Sequence, residues 1–145
     1  MDIRNIAVQT EGVVELLDVD NNPLLDDSGE PLKVTVFGPG SREYMKAQAE
    51  LNNRLLDRLK RKGKSEQSAE EKAREQIDFL VSCTKEFSPN LQYGDLQGEA
   101  LFKAVYSDRS VGFIAQQVGE FIGEWSNFKK PSTKTSASTS DNSPG

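Results

Sequence analysis

The stretch from Gly98 to Phe128 constrains this chain more than any other. It reads as two amphipathic helices, residues 98–106 and 110–128, joined by the polar turn Ser107-Asp108-Arg109. On the second helix Val111, Ile114, Ala115, Val118, Ile122 and Trp125 recur at helical spacing and form one apolar stripe. Phe113 lies off that stripe, and Phe121 and Phe128 sit at its edge. Gly112, Gly119 and Gly123 each lower the helix's intrinsic stability, by up to ~1 kcal/mol. Burying Ile114, Val118 and Ile122, at roughly 1.5–3 kcal/mol each, outweighs this only if the stripe meets a partner surface. The helix is therefore expected to be unstable alone.

Upstream, two short β-branched and aliphatic runs, Gly12-Val-Val-Glu-Leu-Leu17 and Leu32-Lys-Val-Thr-Val-Phe37, read as strands. Leu32, Val34 and Val36 alternate with Lys33, Thr35 and Phe37, as in a half-buried strand. The connection is rich in the turn formers Asp, Asn, Gly and Pro, and an antiparallel β-hairpin over residues 1–38 fits it. Its spacing Asp18-x-Asp20-x-Asn22 is that of an opening calcium loop, but Pro23 occupies the place of the turn glycine and Gly29 that of the closing acid. A solvated turn is the better reading, and no metal is expected.

Gly38-Pro39-Gly40 ends the second strand, and Ser41 can cap a helix. Tyr44, Gln48, Leu51, Leu55 and Leu59 follow at steps of three and four, with Leu56 beside them. Arg58, Lys60, Arg61 and Lys62 crowd its last turn and Gly63 ends it. Dipole complementation on a solvated face accounts for these charges better than nucleic-acid contact does. Ser68-Ala-Glu-Glu71 is a capping box. It opens a helix carrying Ala73, Ile77, Leu80, Val81 and Thr84 on one side, expected to run up to Ser88-Pro89. The short turn around Gly63 implies an antiparallel helical hairpin. In the third helix Leu101, Phe102, Val105 and Tyr106 face inward, and Asp108 can cap the fourth. The expected fold is mainly α with a small N-terminal β-hairpin (α+β): a single domain of residues 1–128, with four helices over 41–128. The tail, 129–145, has one alanine and no larger apolar side chain apart from its prolines, and is expected to be disordered.

Composition narrows the function classes. There is no histidine among the 145 residues, which removes the usual general base and the commonest metal ligand. Cys83 is the only cysteine, so no intrachain disulfide forms, and its simplest role is as a small buried apolar residue. The net charge of −5 argues against a general nucleic-acid binder. No apolar run approaches the ~20 residues needed to cross a bilayer. The segment Met1-Asp-Ile-Arg-Asn-Ile6 lacks the layout of a signal peptide, so the protein is expected to stay in the cell that makes it. No catalytic constellation and no cofactor site is visible, and an enzyme is not expected.

Three stretches carry a family resemblance. They are Val34-Thr-Val-Phe-Gly38 with Ser41-Arg-Glu-Tyr44; the helix through Phe79-Leu-Val-Ser-Cys-Thr84; and Glu99-Ala-Leu-Phe102 through Val105-Tyr106, Ile114-Ala-Gln-Gln117 and Val118-Gly-Glu-Phe-Ile122 to Asn127-Phe128. Together they span most of residues 30–128, and the sequence there resembles the tail assembly chaperones of long-tailed (siphovirus-type) bacteriophages. Phe87 stands in the region where that pattern has a tryptophan, and the tail after Phe128 has no counterpart in it.

The resemblance implies a non-enzymatic protein of the host cell cytoplasm, absent from the mature virion. Its partners would be the tape measure protein, a long helical rod prone to aggregation, and the tail tube protein that polymerises around that rod. Neither nucleic acid nor membrane is implied as a partner, and a homo-oligomer stays open. A programmed ribosomal frameshift would extend some copies, and Lys129-Lys130 would suit a slippery codon pair. Apolar surface that pairs with amphipathic helices is needed for such a role. Phe113, with Phe121, Trp125 and Phe128, is the candidate surface; the competing reading is that these rings close the domain's own core. The alternative function is a small structural tail or head-completion protein of the virion.

Overall fold

The computed structural model describes residues 1–62 and 68–130. The turn expected around Gly63, and the expected tail apart from Lys129 and Lys130, lie outside the described residues. The architecture is mixed α+β. Among the described residues four α-helices, α1 (Arg42–Lys62), α2 (Ala69–Ser82), α3 (Gly98–Ser107) and α4 (Gly112–Ile122), accompany a small antiparallel sheet of β1 (Glu11–Glu15), β2 (Lys33–Phe37) and β3 (Thr84–Phe87), in the order β1-β2-β3.

The hairpin expected at the N-terminus is there, with Glu11 opposite Phe37 and Glu15 opposite Lys33. It is part of a larger sheet, because the helix expected to end just before Ser88-Pro89 already stops at Ser82. Thr84, expected on that helix's apolar side, opens β3 instead, which pairs with β2 from Val34–Phe87 to Val36–Thr84. The physical reason is that Val34 and Val36 are wholly buried, so β2 is a central strand and needs ladder partners on both edges. Inside, the Thr84 hydroxyl donates to the Leu80 carbonyl at 2.7 Å and lies 2.7 Å from the Tyr106 hydroxyl, which fixes the junction of α2, β3 and α3.

The connection between β1 and β2 is a tandem repeat. Leu17-Asp-Val-Asp-Asn-Asn-Pro-Leu24 and Leu25-Asp-Asp-Ser-Gly-Glu-Pro-Leu32 share the pattern Leu-Asp-x-x-x-x-Pro-Leu. Each Asp carboxylate accepts from the amides two and four residues on: Asp18 from Asp20 (2.9 Å) and Asn22 (3.0 Å), Asp26 from Ser28 (2.8 Å) and Glu30 (2.9 Å). The left-handed position is Asn21 in one copy (φ 65°) and Gly29 in the other (φ 86°). Three leucines close the motif: the Leu24 amide donates to the Leu16 carbonyl, Leu32 to Leu24, and Leu16 to Leu32, at 2.9–3.1 Å. Asp18, which opens the spacing of the partial calcium loop, thus holds its own backbone through the Asp20 and Asn22 amides.

One face of the sheet is covered. Val14, Leu16, Val34, Val36 and Phe87 pack with Leu101, Val105, Ile114, Val118 and Ile122 in one core, while Val13 on the opposite face is exposed. Helix α1 packs on α2. Arg58, expected on a solvated basic face, is instead buried and pairs with Glu75, with Arg54–Asp78 (3.0 Å) one turn away. Leu59, expected on the inner stripe of α1, is exposed. The end caps at Ser41 and Ser68 form as the sequence implies: Ser41 Oγ accepts from the Tyr44 amide (3.0 Å), and Ser68 and Glu71 make the reciprocal box.

Candidate partner-binding surface

The four aromatics expected to form a surface are divided by a break in their helix. Helix α4 ends at Ile122 with Gly123 as its C-cap, and residues 125–128 form a separate 3-10 turn. Two side chains shape that corner. The Glu124 carboxylate accepts from the Ser126 amide (3.4 Å), and Asn127 Nδ2 donates to the Phe121 carbonyl (3.1 Å), which also accepts from the Glu124 amide (3.3 Å). The expectation of one continuous helix over residues 110–128 is therefore corrected, because the helix ends at Ile122 and the chain turns through Gly123-Glu124 into a separate 3-10 turn.

Past this break Phe128 enters the core, where it is only 1% exposed. Gly12 and Gly38 fall on the inward rows of β1 and β2, the rows that carry Val14 and Val36. A Cβ built on Gly12 would come within 2.8 Å of the Phe128 ring, and one on Gly38 would overlap it outright. The glycines thus leave a ring-sized slot that Phe128 fills. Phe121 meets Phe128 edge-to-face at 5.4 Å between centroids, and the Phe128 carbonyl accepts from the Gln9 amide at 2.7 Å. Phe113 and Phe121 are half-buried and pack against the same core. Of the four, Phe128 is a core residue in this arrangement, and only Trp125 lies mostly open, at 56% exposure.

Trp125 does not extend the stripe of α4. Its ring lies instead beside Gly40, just before α1, where a Cβ on Gly40 would sit 3.4 Å from Val8 Cγ2 and 3.7 Å from Trp125 Cζ3. From Gly40 an open groove of about 540 Å³ runs beside Pro39, Tyr44 and Met45. One stretch of accessible apolar surface therefore brings Trp125 to the segment leading into α1, two regions far apart in the chain that no single helical period joins. A larger groove, about 590 Å³, lies between β3 and the loop leading into α3, lined by Phe87, Leu91, Leu96 and Phe102.

A second long-range tie holds α4 to the sheet connection. Gln117 Oε1 accepts from the Leu17 amide (2.7 Å) and its Nε2 donates to the Leu17 carbonyl (2.8 Å), as a neighbouring strand would. The only signal of that clamp in the sequence was a polar residue one position before Val118. Cys83 is buried, and burial, reinforced by the Glu43 carboxylate, pushes its thiol up to about 12, so it carries no thiolate at neutral pH. Among the described residues no three Cys, Asp or Glu side chains are grouped so as to hold a metal ion, and no helix is long and apolar enough to cross a membrane. Compared with known proteins, the chain matches no family model, no curated protein and no solved structure.

Proposed function

We propose that this protein is a tail assembly chaperone of a long-tailed bacteriophage, which binds the tape measure protein and supports tail tube polymerisation from the host cytoplasm. The observation that carries the reading is the exposed Trp125 ring beside Gly40 and Val8, apolar surface left over once the core is closed. The resemblance over residues 30–128 supports it. In that reading α3 and α4 form the helix–turn–helix that closes the family's domain, α1 and α2 form its helical hairpin, and Lys129-Lys130 mark the frameshift edge.

Co-expression with a tape measure protein tests it. The wild-type chain keeps the rod soluble and co-purifies with it, whereas Trp125→Asp, folded by circular dichroism, loses both effects. Equal solubilisation by wild type and variant would remove Trp125 from the site. Finding the protein among the components of purified virions, by mass spectrometry, would replace the chaperone by a structural role.

A further inference from the structure

Helix α1 carries a second seam, apolar at four of its five positions, on its outward side. Met45, Ala49, Asn52, Leu56 and Leu59 follow at alternating steps of four and three, the spacing of a coiled-coil seam. All five are exposed, with Met45 at 67%, Leu56 at 52% and Leu59 at 42%. The opposite side of the same helix, at Ala47, Leu51 and Arg58, already packs inward. The seam runs about 21 Å, from the 14 steps between Met45 and Leu59 at 1.5 Å each. At its upper end it meets the groove beside Pro39 and Gly40.

Charge selects the occupant. Arg42 stands at the head of the seam, and Lys46 and Lys60 line its flank; all three are exposed. Glu43, Glu50 and Asp57 lie one row further out. A second copy laid antiparallel would set Lys46 against Lys60 twice, which is repulsive. Two heptads with an alanine and an asparagine among five positions also offer little to a self-dimer. We infer that α1 docks a single amphipathic helix of another protein, one with an apolar heptad seam flanked by Asp or Glu. This inference does not rest on the tail-assembly reading.

Two labelled 21-residue helical peptides test it against the full chain by fluorescence anisotropy. Both carry Leu at the seam positions; one carries Glu on both flanks and the other Lys, so each repels itself. The acidic peptide is expected to bind at least about tenfold tighter at low salt, with the difference shrinking at ~0.5 M salt. Lys46→Glu with Lys60→Glu reverses the order, and Leu56→Glu abolishes binding of both. Should Leu56→Glu not fold, Leu59→Glu serves the same purpose. Equal binding of the two peptides, no binding of the acidic one, or unchanged binding by the folded Leu→Glu variant would overturn the inference. So would a dimer, seen by sedimentation equilibrium, that Leu56→Glu dissolves.

Discussion

At the scale of single residues, the decisive contact joins two glycines to one phenylalanine. Gly12 and Gly38 are valuable for what they lack, since a methyl group on either meets the Phe128 ring. Gly38→Ala therefore overpacks the slot and is expected to cost about 1–3 kcal/mol, while Phe128→Ala empties it at roughly 3–5 kcal/mol. The two changes share one space, so the double variant should be more stable than the sum of the single effects predicts. Urea midpoints of the four proteins measure this; strict additivity would mean that Phe128 does not occupy the slot. The aromatic nature of residue 128 was plain from the sequence, but its direction was not. A helical wheel through residue 128 assumes an unbroken helix, and Gly123 breaks it.

The β1–β2 connection shows at the scale of elements how a loop rich in turn formers becomes rigid. Its two eight-residue copies make the same hydrogen bonds, yet one places Asn and the other Gly at the left-handed position. A Cβ at Gly29 meets open space, so strain there is purely conformational. Gly29→Ala should cost about 1–2 kcal/mol, from the left-handed penalty on an L-residue, whereas Asn21→Gly should be close to neutral. Thermal unfolding checks the contrast; equal effects at both positions would deny the equivalence of the two copies. The repeat was legible as a period of eight, Leu-Asp to Pro-Leu, but reading for alternation and turn formers passes over it. Helix α1 carries the complementary lesson. Its step of three and four placed Leu59 inside, yet Arg58 takes the inner position because Glu75 on α2 neutralises it there. A burial pattern read from apolarity alone cannot anticipate a buried ion pair.

At the scale of the whole molecule, the core encloses two weak acids, Cys83 and Tyr106. Burial raises both above their ordinary values, Cys83 to about 12. A raised folded value favours the neutral form in the native state. Their contribution to stability is therefore complete below the unfolded value and lost as pH rises through the folded one. For Cys83 the loss should span pH 9 to about 12, at about 1.4 kcal/mol per pH unit. Urea midpoints measured between pH 9 and 11 should fall, and Cys83→Ala should show a shallower fall from a lower starting stability. Identical slopes for the two proteins would place the alkaline transition elsewhere.

The sequence by itself determined the local elements of this protein. A run of β-branched and aliphatic residues marked β1, period-two alternation marked β2, capping residues marked the starts of α1 and α2, and the stripe of Ile114, Val118 and Ile122 marked the buried face of α4. These are short-range preferences of backbone and side chain, visible within one or two turns. Only the tertiary structure decided that residues 84–87 pair as a strand, that Gln117 clamps Leu17, and that Phe128 is sealed while Trp125 stays open. Each of those outcomes depends on a surface brought from far along the chain: the unpaired edge of β2, the free backbone of the β1–β2 connection, and the slot above two glycines. No local pattern encodes a partner that arrives only on folding.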